Sequence, residues 1–74
     1  MNPATIMTRI AIETELKKGM PGLLRVADLI RNAKDPKWNG WYNDSKQFWT
    51  KMGLLDEKGE MHKITREAIL AMDL

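Results

Sequence analysis

The residue types best suited to binding a partner are concentrated in one stretch, DPKWNGWYNDSKQFW, which spans residues 35 to 49. It contains all five aromatic residues of the chain, interspersed with lysine, asparagine and aspartate. Large rings supply buried area in a small domain, and they also supply the hot spots of many protein interfaces. The stretch therefore predicts either the core of a very small domain or a contact surface for a partner.

Position along the chain divides these aromatics into two groups. Phe48 and Trp49 fall inside a predicted helix, and we assign them to the core because such rings usually supply buried area. Trp38, Trp41 and Tyr42 fall in the loop before that helix. We favour a satellite cluster folded over the neighbouring helices, and the alternative is an exposed stacking or protein-contact surface.

Residues typical of catalysis or metal binding are too few and too scattered to form a site. His62 is the single histidine and there is no cysteine, so neither a histidine cluster nor a thiolate site can form. Glu13 and Glu15 are two residues apart on a predicted helix and do not face each other. We therefore predict that the chain is not an enzyme and has no cofactor and no metal ion.

Length and composition predict one small domain, residues 1 to 74, with a thin margin of stability. The start of the chain has no signal-peptide pattern, and no apolar stretch approaches the length that crosses a bilayer. This predicts a soluble, cytoplasmic protein, and the compact build suggests a prokaryotic or phage origin. The net charge is only +2, but residues 31 to 51 hold five basic residues against two acidic ones, which permits nucleic-acid binding without requiring it.

Capping and stop signals predict the helices that surround the aromatic stretch. Asn2 followed by proline starts a first helix over residues 3 to 18, and a glycine ends it. A second, amphipathic helix is predicted over residues 21 to 33. Asn43 or Asp44 caps a third helix.

The third helix is predicted over residues 45 to 52. Before it, Asn39 and Gly40 predict a tight turn or the tip of a small hairpin.

The first predicted helix has two apolar stripes rather than one. At about 100° per residue, one side holds Ile6, Met7 and Ile10, and another holds Ile12 with Leu16. A single neighbouring helix would cover only one of these stripes. We expect the Ile12 and Leu16 stripe to form a homodimer interface, and the alternative is that the long tryptophan loop covers it within one chain.

The sequence MGLLDEKGEMHKITREAIL, residues 52 to 70, follows the third helix. A glycine ends that helix, two leucines form a short apolar pair, and the polar turn DEKGE leads to a predicted strand with Met61 and Ile64 as its apolar positions. Thr65 then caps a last helix over residues 66 to 72.

This order of signals over residues 45 to 72 resembles the recognition helix and wing of winged helix-turn-helix proteins. The resemblance implies a mostly helical fold of three to four helices with a small β-hairpin as the wing. The connection between the second and third helices, residues 34 to 43, is longer than the turn of a standard helix-turn-helix.

The resemblance also implies that the third helix binds DNA. In this family the corresponding helix enters the major groove of double-stranded DNA, and here its exposed side is polar, basic and free of acids. The expected contacts are Lys46, Gln47, Thr50 and Lys51, with Asn43 before the helix and Lys58 on the wing. We therefore expect a small DNA-binding regulator of prokaryotic or phage type.

A protein-binding module is the alternative function. In that interpretation Trp38, Trp41, Tyr42 and the exposed stripe of the first helix hold a protein partner, as in a phage-type inhibitor or adaptor, and the chain binds no nucleic acid. Titration with random duplex DNA at two salt concentrations separates the two functions, because phosphate contacts make binding strongly salt-dependent.

Overall fold

Four helices form the regular secondary structure of the computed structural model, which describes residues 2–72 and 74. They are α1 (Pro3–Lys17), α2 (Gly22–Lys34), α3 (Ser45–Lys51) and α4 (Lys63–Ala71). The described residues contain no β-strand. The predicted fold class, a winged helix-turn-helix with a small β-hairpin, is therefore wrong, and this part of the chain is all-helical.

The segment predicted as the wing is a turn closed by one isolated antiparallel bridge between Leu55 and Met61. A strand ladder cannot extend beyond this bridge, because α4 begins at Lys63, two residues after Met61. Ile64, predicted as a strand position, lies in the first turn of α4. Thr65, predicted as the helix cap, is buried inside α4.

Both ends of α1 follow the predicted signals. The side chain of Asn2 accepts a hydrogen bond from the backbone N–H of Ala4 at 2.8 Å, which satisfies one of the free donors at the start of the helix. Gly19 follows the helix at φ 73°, in the left-handed region that favours glycine. Gly22 then lies so close to the backbone carbonyl of Glu15 that an added Cβ would collide with it.

α1 packs against both α2 and α4. Ile12 is 0% exposed and belongs to the core, and Leu16 packs against the same cluster. Other elements of the same chain already cover this stripe, so Ile12 offers no exposed surface to the homodimer contact predicted through Ile12 and Leu16. The α1 stripe that remains exposed holds Ile6, Met7 and Ile10.

The core is one cluster with members from all four helices and from the segment between α3 and α4. Trp49 is 0% exposed, and its Nε1 donates to the carbonyl oxygen of Arg25 at 2.8 Å. At the other end of α2, Nη1 of Arg66 donates to the carbonyl oxygens of Asn32 and Ala33 at 2.6 and 2.8 Å. These bonds attach α3 and α4 to α2. The two Arg66 bonds also place a cation at the C-terminus of α2, where it interacts favourably with the helix dipole.

Two buried polar side chains of α2 hold the tryptophan loop, residues 35–44. Asp28 accepts a hydrogen bond from the backbone N–H of Tyr42 at 2.7 Å. Asn32 donates through Nδ2 to the carbonyl oxygen of Trp38 at 3.1 Å. The loop is long, but these hydrogen bonds hold its backbone against α2. They give the buried Asp28 and Asn32 side chains the partners that water would otherwise supply.

Asn39 and Gly40 do not form the predicted turn or hairpin tip, because residues 38–42 are irregular and the turns lie on either side of them. A Cβ on Gly40 would lie 3.2 Å from the Trp38 ring. Glycine at this position therefore lets an indole ring pack against the backbone.

Candidate functional site

Five of the six residues predicted to contact DNA line one groove on the surface. The groove lies between α3 and the turn of residues 56–60, has a volume of about 520 Å³, and is called the basic groove below. Its lining residues are Lys46, Gln47, Thr50, Lys51, Glu57, Lys58 and Gly59. Three lysines and one carboxylate thus share this surface.

Asn43 and Thr50 differ from the other predicted contact residues. Asn43 is exposed just before α3, at φ 42°, and is not among the residues that line the basic groove. Thr50 is half-buried, and its Oγ1 donates to the carbonyl oxygen of Lys46 at 2.8 Å. Its hydroxyl proton is therefore used within the helix, which leaves only an acceptor and a methyl group for a ligand.

The carboxylate of Asp56 shapes the turn that faces α3. Its Oδ1 accepts hydrogen bonds from the backbone N–H groups of Glu60 and Lys58 at 2.9 and 2.8 Å. The bond from Glu60, followed by that from Lys58, lowers the pKa of Asp56, because both favour the ionised form. The side chain of Lys46 packs on the backbone of Gly59, where an added Cβ would collide with it, so the turn and α3 are in direct contact.

A second groove, of about 550 Å³, runs along α1 and is mostly apolar; it is called the apolar groove below. Its walls come from α1, from α3 with the glycine turn that follows it, and from the start of α4. Its large apolar side chains are Met7, Ile10, Phe48, Met52, Leu54 and Ile64. Met7 is 69% exposed and Ile10 is 58% exposed. Contiguous exposed apolar surface of this kind is typical of interaction sites.

A buried ionic cluster lies at one end of the apolar groove. Glu15 is 1% exposed, and its carboxylate is paired with Lys18 on one oxygen and with Nη1 of Arg25, at 3.3 Å, on the other. The Arg25 guanidinium also lies over the Phe48 ring, 4.6 Å from its centroid. The negative charge of Glu15 is thus compensated from inside the fold, while Lys18 reaches the surface of the groove.

The three aromatics of the tryptophan loop are unequally exposed. Trp41 is half-buried and packs against the core, and its ring centroid lies 5.3 Å from that of Trp38. Trp38 is also half-buried and has the Arg31 guanidinium 5.8 Å from its ring centroid. Tyr42 is the exposed member. The loop therefore places its two indoles as a satellite cluster on α2, and they do not form a flat open surface.

Part of the apolar groove could be seen in the sequence and part could not. The exposed stripe of the first helix was visible as a second apolar stripe with no obvious neighbour. The sequence does not identify Met52 and Ile64 as surface residues, because Met52 ends the predicted third helix and Ile64 is an apolar position of the predicted strand. Burial decides the matter, since Met52 is 47% exposed and Ile64 is 36% exposed.

No protein-family model, no curated protein and no solved structure matches this chain. Within residues 2–72 and 74, acidic and histidine side chains do not gather in a group that could hold a metal ion. The described helices include none that is long and apolar enough to cross a bilayer. The two grooves are therefore the features of the molecule that point to a function.

Proposed function

We propose that this chain is a protein-binding module whose contact surface is the apolar groove. The supporting observation is the exposure of Met7, Ile10 and Met52 around one concave surface, while the core beside it is closed by Ile12 and Trp49 at 0% exposed. Flexible methionine side chains adapt to the shape of a partner and are frequent at binding surfaces. Binding would remove this apolar area from water.

Protein binding takes precedence over DNA binding because the fold removes the wing on which the DNA interpretation depended. Without that hairpin, the DNA interpretation rests on the polar side of α3, a helix of seven residues. Three lysines beside Glu57 form only a modest electropositive surface for a phosphate backbone. The apolar groove draws on three helices and needs no further element to be complete.

A display library of short peptides tests the proposed function directly. Peptides selected on the parent protein should bind Met7→Glu at least about tenfold more weakly, because the substitution buries a charge in the contact. They should bind Leu70→Glu as they bind the parent. Leu70 is also an exposed apolar residue, at 53%, but it does not line the groove. A selected pool that binds all three proteins alike would refute the assignment of the groove, provided that circular dichroism shows all three folded.

A second candidate function, nucleic-acid binding, is supported by the grouping of Lys46, Lys51 and Lys58 around the basic groove. Replacing Lys46 and Lys51 together by alanine should weaken binding to every duplex and flatten its salt dependence, because phosphate contacts are lost. Replacing Lys17 and Lys34, which are exposed elsewhere, is the matched control for net charge.

Gln47→Ala would extend this test to sequence preference, with an expected change of about 1 to 3 kcal/mol at one base step. Equal duplex binding by the parent, the double variant and its control would remove the basic groove as the contact.

A further inference from the structure

We infer that the partner of the apolar groove is an amphipathic α-helix with acidic residues beside its apolar stripe. This inference rests on the proposed function and names the class of partner that the same groove takes. It follows from the shape of the groove, from the charges at its edge and from what a second copy of this chain would bring to it.

The shape of the groove fits a helix lying along α1. Its lining residues run from Ala4 to Lys18, which is the length of α1, and a helix of 15 residues is about 22 Å long. The groove is open along this length and lined by large apolar side chains from facing elements. Helices that bind such grooves insert apolar residues at positions i, i+3 or i+4, and i+7.

The charges at the edge of the groove favour an acidic partner. Glu15 supplies the one carboxylate among the described lining residues. It is buried and already paired with Lys18 and Arg25. The Lys18 side chain is 54% exposed and so keeps part of its charge available to a partner. His62 lies on the opposite wall of the groove.

A neighbouring surface extends this basic edge. A smaller groove shares Phe48 and Met52 with the apolar groove and adds Arg25 and Lys51 against the single carboxylate of Asp44. Counted together, Lys18, Arg25 and Lys51 face the carboxylates of Glu15 and Asp44, so a partner helix with glutamates on both sides of its apolar stripe would meet a net excess of one positive charge.

A second copy of the chain fits this surface less well. A two-fold contact brings the same surface patch of both copies together, so the basic residues of both patches would share one interface. Both patches would also be concave at the contact. Like charges and concave surfaces each oppose such pairing, whereas a convex acidic helix meets neither obstacle.

Three fluorescent peptides of about 16 residues, which match α1 in length, test the inference. They share an apolar stripe of leucines and differ at the flanking positions, which are all glutamate, all glutamine or all lysine. We expect the glutamate peptide to bind the parent most tightly by fluorescence anisotropy, by about tenfold over the glutamine peptide at low salt. The difference should shrink as salt rises, while the glutamine peptide should be insensitive to salt.

Two lysine variants assign this charge preference to its residue. Lys18→Gln should weaken binding of the glutamate peptide and leave that of the glutamine peptide unchanged. Lys17→Gln makes the same change of net charge next to Lys18 but outside the lining residues, so it should alter neither. If Lys18→Gln does not fold, the salt dependence of the three peptides on the parent still decides the question.

Three results would overturn the inference. Equal affinity for the three peptides would reject the acidic helix and leave the proposed function standing. Failure of all three to bind, together with a display selection that yields no groove-dependent peptide, would reject both. Sedimentation equilibrium showing a dimer that Met7→Glu dissociates would assign the groove to a second copy of the chain.

Discussion

Each side of α1 includes residues that depart from the usual distribution of buried apolar and exposed polar side chains. Its inner side buries Glu15 at 1% and Thr8 at 3% exposure, while its outer side exposes Met7 at 69% and Ile10 at 58%. The inner polar groups are paired, since Thr8 donates to the carbonyl oxygen of Ala4 at 2.8 Å and Glu15 has two cationic partners. The outer apolar groups have only the open groove beside them.

This difference separates residues that hold the fold from residues that are free for function. A buried polar group is tolerated where a partner satisfies it, so Glu15 and Thr8 are explained by the fold itself. An exposed apolar group gains little from the fold, and the proposed protein contact would account for the exposure of Met7 and Ile10. Matched substitutions on the two sides should therefore differ in their effect on stability.

The largest expected effect separates the two isoleucines of α1. Ile12→Ala should lower the free energy of unfolding by about 3 to 4 kcal/mol, because the Ile12 side chain is fully buried and its truncation leaves a cavity in the core. Ile10→Ala should change it by less than about 0.5 kcal/mol, because the side chain is exposed on the outer side. Urea denaturation of both variants provides the measurement, and equal losses would show that the outer side is also structural.

The tryptophan loop offers the same comparison between neighbouring residues. Trp41→Ala should cost about 2 to 3 kcal/mol, because the ring packs against the core, while Tyr42→Ala should have little effect on stability. Thermal unfolding followed by circular dichroism measures both. An unchanged melting temperature for Trp41→Ala with loss of partner binding would instead assign this tryptophan to an interface.

The two glutamates of α1 differ in the same way. Glu15→Ala should cost about 2 kcal/mol, because it leaves Arg25 with its remaining contact to Asp44 at 3.9 Å and removes a buried charge pair. Glu13→Ala, on the exposed side, should cost almost nothing. Matched urea titrations decide, and a loss for Glu13→Ala as large as that for Glu15→Ala would contradict the role given to the buried cluster.

Local signals in the sequence were enough to place α1, α2 and α3. The Asn2 cap, the proline after it and Gly19 correctly bound α1. The prediction of α3 over residues 45 to 52 is correct to within one residue at its end, but Asp44 at the N-cap position makes no side-chain capping hydrogen bond. The same kind of signal failed after α3. The order there is an apolar pair, a polar turn and then Met61 and Ile64, and this order fits a β-hairpin as well as a turn that leads into a helix. Only the early start of α4, at Lys63, distinguishes the hairpin from the turn. That start is set by the packing of α4 against α1 and α2.

The candidate sites show the same limit. The basic groove was predictable in most of its members, because Lys46, Gln47, Thr50 and Lys51 share one side of a short helix, and the turn brings Lys58 beside them. The apolar groove was not, because Met52 and Ile64 join α1 only through the tertiary fold. Periodicity located the stripe of Ile12 and Leu16 but could not tell which stripe the fold would cover.

The smallest expected effect concerns the turn that presents Leu55 and Met61 to the core and Lys58 to the solvent. The pKa of Asp56 is lower in the fold than its ordinary value of 3.8, chiefly through the backbone N–H of Glu60. A lowered pKa stabilises the fold above the unfolded value, and this contribution is lost as pH falls through the folded value. Asp56→Asn keeps an acceptor oxygen but cannot be charged.

We therefore expect Asp56→Asn to be slightly less stable than the parent at neutral pH. The difference in melting temperature should begin to shrink as pH falls below the unfolded pKa of about 3.8, and it should disappear once the pH is below the lowered pKa of the folded parent, where that carboxylate is protonated too. Other carboxylates titrate in both proteins and cancel in the comparison. A difference that stays constant across this range would mean that the hydrogen bonds of Asp56 hold the turn by geometry alone. It would also show that charge at this turn contributes nothing to the fold.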